Sequence, residues 1–450
     1  MDARRNWFRG SLLLRGLQGL SLWAQDTRTW ATAGLLTSWA GQGRGWTARS
    51  WLCRGLDGLA LGWAVVLFAV APYVSTGIIG AILAGGTVLW LVMVLTRPLQ
   101  LTPITLAVLA FWGLTTVAAL CSPVLATSAY GWGLVTLYLV GYALLSRVLQ
   151  THRDWVVAVY LLTVAIVGVE GLRQWQDGAV ALATWVDQES PLKDTTRIYS
   201  YLGNPNLLAA YLLPAVSLGA VAVLVWSRWW ARVLAAAVTV LAVVCIGLTY
   251  SRGGWLALGL MGLVGLALAL CQVSARVRAG LVGGAVGIVA LAVAFIPGLQ
   301  VRLASIFVGR DDSSNNFRIT VWDTVWQMVQ DYFWLGIGPG NRTFETIYPY
   351  YQRAGYNALG AYSVPLETWV ELGVVGLVVS LWLVVVVWGW AVGVWLTRPS
   401  PERWWAAAAL LLTVGLMVQG LFDTVWYRPQ VQMLWWLGIA LINSLTVPKD

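Results

Sequence analysis

The chain has 450 residues, 59% of them apolar and only 10% charged, with 30 tryptophans and a formal net charge of +9. A soluble globular chain carries roughly 25% charged residues, and the 28 basic and 19 acidic side chains here could not cover a soluble fold of this size. Together with a mean hydropathy of +0.73, these figures exclude a soluble enzyme, a secreted disulfide scaffold and a disordered chain. The fold class they predict is all-α, a polytopic integral membrane protein.

Taken in chain order, residues 1–58 hold eight arginines and the run MDARRNWFRGSLLLRG, with no small-residue cleavage site. This predicts a basic cytoplasmic arm, partly amphipathic at the membrane surface, rather than a signal peptide. A helix needs about 20 largely apolar residues to cross the hydrocarbon core. Such runs occur at 59–76, 77–96, 101–120, 131–147, 155–171, 206–226, 233–250, 254–272, 281–298, 374–396, 405–422 and 432–446. Twelve spans are therefore expected, with two long polar stretches, about 172–205 and about 299–373, on one side of the membrane.

Charge placement supports this count. With the arm inside, the cytoplasmic segments hold 18 basic and 6 acidic residues, and the remaining segments hold 10 and 13. Lysine and arginine collect on the cytoplasmic side of membrane proteins, so both termini are expected in the cytoplasm of an inner-membrane protein and the two long loops in the periplasm. The basic excess then describes orientation, and no nucleic-acid surface is expected. The four cysteines and the single histidine, His152, have no metal-ligand spacing, and neither a cofactor nor a metal is expected. His152 lies in a basic turn on the expected inner side, which leaves no Ser-His-Asp triad for the outer face.

Candidate chemistry concentrates on the outer side. TYSRGGWLAL (249–258) puts Arg252 in a tight turn between two apolar runs, where its planar fork suits phosphate or another oxyanion. In NNFRITVWDTVWQMVQDYF (315–333), Ile319, Trp322, Val325, Trp326, Val329 and Phe333 recur at helical spacing. Arg318 is expected at the start of that helix, where free backbone N–H groups would share an anion with it. GIGPGNR (336–342) lacks the context of a dinucleotide fingerprint and reads as a sharp turn positioning Asn341. YLGNPN (201–206) brings Asn204 and Asn206 to a span, where Asn206 either caps the helix or binds substrate. GAYSVPLETWVELG (360–373) brings Tyr362, Ser363, Glu367 and Glu371 to the next one. Glu367 and Glu371 share a helical face and either pair with outer arginines, bind a cation or are solvated.

SRGGWLAL, FRITVW with WLGIGPGN, and GNPN together resemble the membrane superfamily of bacterial O-antigen ligases and related polysaccharide polymerases. The resemblance is densest over about 232–388. It implies a domain division of 1–58 (arm), 59–231 (N-terminal bundle), 232–388 (ligase-related membrane domain) and 389–450 (C-terminal helices and tail). It also implies a glycan donor on undecaprenyl diphosphate, with Arg252 and Arg318 holding the phosphates. Where such ligases have a His-Asn pair, this chain has Tyr362-Ser363. A phenol with an ordinary pKa near 10 is a poor general base, which leaves Glu367 as the replacement.

YSVPLE with GNPN, SRGGW and the basic arm is similar to the cyanobacterial inorganic carbon (bicarbonate) transporter B family. On that resemblance the first expectation is bicarbonate transport or a membrane role in inorganic carbon accumulation, the bicarbonate meeting Arg252 and Arg318. The alternative is a metal-independent, lipid-linked oligosaccharide glycosyltransferase of ligase or polymerase type, acting on a polyprenyl-diphosphate-linked glycan. A third is a non-catalytic modulator with a protein partner in carbon uptake. Membrane lipid surrounds the chain in all three.

Overall fold

The computed structural model describes residues 51–96, 101–178, 197–270 and 313–447. The expected arm up to residue 50, the span at 281–298 and parts of both long loops lie outside the described residues. Twelve α-helices occur among those described. They are α1 (Trp51–Val70), α2 (Thr76–Thr96), α3 (Pro103–Leu120), α4 (Leu125–Asp177), α5 (Pro205–Val225), α6 (Trp229–Leu248), α7 (Arg252–Leu270), α8 (Ser313–Asp331), α9 (Asn341–Ile347), α10 (Val364–Thr397), α11 (Glu402–Gly420) and α12 (Pro429–Thr446). Seven of these, α2 to α7 and α10, are long and apolar enough to cross a membrane. Leucines and valines such as Leu59, Val88, Leu263 and Val378 stand exposed on the flanks, as lipid-facing positions require. The chain is an all-α, multi-pass membrane protein.

Several expected boundaries move. The last residues of the arm are helical, because α1 already begins at Trp51. The spans expected at 131–147 and 155–171 belong to one 53-residue helix, α4, broken only at His152 (φ −121°, ψ 25°). The expected boundary at 388 falls inside α10.

Contacts along the helices sort their ends into two sets. At one end, Gly131 near the start of α4 meets Pro339 and Gly340, and Gln174 near its finish accepts the Tyr199 and Ser200 N–H groups at 3.1 and 2.7 Å. The middle of α4 lies at the other end, where Asp154 accepts the Trp226 indole N–H at 3.1 Å beyond α5 and Arg153 lies over Trp405 of α11. Helix α4 is therefore a hairpin whose two limbs each traverse the bundle. The starts of α5, α7, α10 and α12 and the finishes of α3, α6 and α11 join the first end. Thr102, before α3, bonds Asn443 near the finish of α12 at the second.

The main apolar core runs through the bundle along α1, α4, α5, α11 and α12. A separate small core forms over the first end, where Val321, Val325, Met328 and Val329 of α8 pack with Ile337, Phe344, Ile347, Tyr348 and Val370. The buried face of α8 is thus turned from the expected one. Val325 and Val329 face inward as expected, but Trp326 is 46% and Phe333 39% exposed, and both edge onto Trp369.

Candidate functional site

Residues 197–206 and 249–252 make the first wall of the site. Tyr250 is in the left-handed region at φ 50°, which bends the chain sharply before Ser251. The Ser251 hydroxyl then accepts the Gly254 N–H at 3.2 Å, so α7 starts with a capped turn and Arg252 is its first residue. Arg252 therefore has both a guanidinium and the free N–H groups of a helix start around it. Arg197 braces the turn, donating to the Thr249 carbonyl at 3.0 Å and to Asn206 Oδ1 at 3.3 Å.

The two asparagines divide their roles differently from the expectation. Asn204 caps α5, its Oδ1 accepting the N–H groups of Asn206 at 2.8 Å and Leu207 at 3.3 Å. This leaves the Asn206 side chain clear of the cap. Asn206 Nδ2 donates to Asp423 Oδ2 at 2.6 Å, and its carbonyl accepts from Gln419 Nε2 at 2.6 Å. Gln419 is fully buried and lies against Gly253, the neighbour of Arg252. Asp423 Oδ1 accepts the Thr424 N–H at 2.8 Å.

Residues 356–371 make the second wall. Tyr362, also left-handed at φ 49°, meets Phe317 edge to face at 5.6 Å, next to Arg318. Burial, Asp423 and Tyr427 push its phenol up to about 12, against a smaller opposing pull from Arg318. The Tyr362 phenol therefore keeps its proton at neutral pH. Glu367 Oε1 and the Thr424 side chain both close on Gly360, where an added Cβ would stand 3.1 Å from the carboxylate and 3.2 Å from Thr424 Oγ1. Among the described residues neither Glu367 nor Glu371 forms an ion pair with an arginine. Glu371 instead faces the Gly340 backbone N–H.

That contact belongs to the glycine-rich turn, which is locked in place. Gly336, Gly338 and Gly340 all have positive φ. Ile337 and Gly338 donate to the carbonyls of Val370 and Glu371 at 2.8 and 2.9 Å, where α10 breaks at Gly373 (φ 69°, ψ −177°). Ser122 holds the Ile337 carbonyl at 2.5 Å from the other side. Asn341 donates to the Leu359 carbonyl at 2.5 Å, so it secures the strap carrying Tyr362.

Arg318 needs a correction. Helix α8 begins at Ser313, which puts Arg318 in the second turn, past the four free N–H groups of a helix start. Its guanidinium lies within electrostatic reach of the Tyr362 phenol. His152, at the far end of the bundle, takes no part. Arg252, Asn206, Arg318, Tyr362 and Glu367 are brought together at one end, linked through Asp423, Gln419 and Thr424. Sequence reasoning missed these last three as a group. Asp423 alone had a signal, a carboxylate close to an apolar helix end.

A comparison with curated proteins found no match. Residues 237–381, about a third of the chain, match the O-antigen ligase family, so the protein carries a membrane-associated domain related to O-antigen ligases.

Proposed function

We propose that the protein transfers a glycan from a polyprenyl diphosphate to an acceptor hydroxyl at this end of the bundle, as a metal-independent ligase or polymerase. The reading is supported by the segment matching the O-antigen ligase family, which holds Arg252, Arg318 and Glu367, and by Asp423, which bonds Asn206 and lies within electrostatic reach of Tyr362 at the same end. This promotes the reading placed second on sequence. The family match lends no support to bicarbonate, and no residue grouping among the described residues singles out a planar monoanion over a diphosphate.

In this mechanism the acceptor oxygen attacks the anomeric carbon, and the bond from that carbon to the diphosphate oxygen breaks. The leaving electron pair stays on the diphosphate, where charge develops in the transition state. Arg252 at the α7 start and Arg318 meet that charge. The acceptor proton passes to the Glu367 carboxylate, since Tyr362 holds its own proton. Tyr362 donates a hydrogen bond to a sugar or phosphate oxygen. The basic end of the bundle, with Arg153, Arg228, Arg232, Arg398 and Arg403, lies in the cytoplasm of the inner membrane in this reading, and the site faces the periplasm.

Deleting the gene and profiling lipid-linked and surface glycans tests the proposal. Accumulation of an undecaprenyl-diphosphate-linked glycan, restored by the wild-type chain and not by Arg252→Ala, is expected. An unchanged glycan profile together with a loss of bicarbonate uptake would return the transport reading to first place.

A further inference from the structure

The loop joining α11 to α12 lies beyond residues 237–381, yet it runs along the site through Asp423 and Thr424 and ends at Arg428. Arg428 is extended (φ −88°, ψ 123°) and is fixed by Pro429 at the start of α12. It is half-buried, and its guanidinium carbon sits 5.0 Å from the centre of the Tyr427 ring. Its Nε is buried and makes no hydrogen bond among the described residues, where Arg428 also forms no ion pair. A buried charged donor without an acceptor is costly. Three other arginines at this end contrast with it, whereas Arg318 shares its buried, unbonded Nε. Arg173 meets Asp177 at 3.4 Å, Arg197 holds Thr249 and Asn206, and Arg342 lies 4.0 Å over Tyr130.

Arg428 also stands on the correct wall. Tyr427, on which it stacks, is within electrostatic reach of the Tyr362 phenol, as is Arg318. Thr424 in the same loop adds a fully packed hydroxyl, 3% exposed and without a partner among the described residues, next to Glu367 Oε1. The positive-inside trend works against arginine at this end, so a half-buried one with no ion-pair partner among the described residues calls for an external anion.

We propose that Arg428 is a third phosphate-binding residue, closing the polyprenyl-diphosphate site from the C-terminal loop opposite Arg318. The inference rests on the glycan-transfer reading and adds to it a residue from outside the ligase-related segment. A diphosphate offers oxygens on two phosphorus atoms, and a planar fork takes two of them at once. The same chemistry would take an anionic phospholipid headgroup, and the test separates the two.

Purified full-length protein in phosphatidylcholine nanodiscs is titrated with undecaprenyl diphosphate and, separately, with phosphatidylglycerol. Arg428→Gln is expected to weaken undecaprenyl diphosphate binding about tenfold without changing phosphatidylglycerol binding. Arg428→Lys keeps the charge but not the fork, and a loss between wild type and Arg428→Gln is expected. It also guards against a folding defect, which would remove binding in both variants alike and count against the inference. If Arg252→Gln weakens undecaprenyl diphosphate and Arg428→Gln does not, the inference fails and the glycan-transfer reading stands. Equal weakening toward both lipids overturns it in favour of a general headgroup contact. If the wild type does not bind undecaprenyl diphosphate, both fail.

Discussion

Tyr362 and Glu367 lie five residues apart and offer opposite chemistry, which makes the proton path testable side chain by side chain. The Tyr362 phenol is held at about 12, first by burial and then by Asp423 and Tyr427, so it stays neutral through the physiological range. Tyr362→Phe should therefore leave the shape of the pH–rate profile unchanged below about pH 10 while lowering transfer by roughly tenfold through a lost hydrogen bond. An alkaline limb that disappears in the variant would show that the phenol does titrate. Glu367→Gln should cost about a hundredfold or more in turnover with little effect on donor binding, measured with a labelled lipid-linked glycan. Arg252, Arg318 and Glu367 could be nominated from the sequence because each stands in a short motif beside an apolar run. The grouping of Gln419, Asp423 and Thr424 with them could not, since Asp423 meets its partner Asn206 from 217 positions away. No local pattern reports such a contact.

Among the elements, the glycine-rich turn and the break in α10 define each other. An added Cβ on Gly336 would run into the Glu371 carbonyl, and one on Gly373 into the Trp334 carbonyl. Gly373 also needs φ 69° with ψ −177°, a region almost closed to residues with a side chain. Gly373→Ala should destabilise the folded protein by about 3 kcal/mol or more, read as a lower thermal midpoint in detergent. Gly393→Ala, in the same helix and with open space around its Cβ position, should have little effect. A matching drop in both would mean that α10 is sensitive to substitution throughout. The turn was visible in GIGPG as a sharp bend, but its docking onto a broken helix was not. Helix α8 shows the same limit. Its 3.6-residue period was legible, whereas the choice between its valine–methionine side and its tryptophan side depends on the cap core supplied by residues 337–370.

At the scale of the whole molecule, apolar runs predict spans, which seven of the described helices are long and apolar enough to make, the charge count predicts an orientation, and α4 bears on both. Trp155 and Trp175 are 65% and 51% exposed on the second limb, 20 residues or about 30 Å apart along a helix, which is one hydrocarbon core. Leu125, 54% exposed, opens the first limb. In a straight helix Leu125 and Trp175 would be about 75 Å apart and on opposite sides of the membrane. In the hairpin they share the site end, with Trp155 opposite. Single cysteines at 125, 155 and 175 in a cysteine-free background, probed in intact cells with a membrane-impermeant maleimide, separate these cases. Labelling at 125 and 175, with 155 reactive only after permeabilisation, is the expected result. Labelling at only one of 125 and 175 would contradict the hairpin. Labelling at 155 alone would keep the hairpin but invert the molecule, placing the arginine site on the cytoplasmic side against the charge bias. The proposed acceptor would then have to be a cytoplasmic hydroxyl, so this experiment bears on the direction of glycan transfer as well as on the fold.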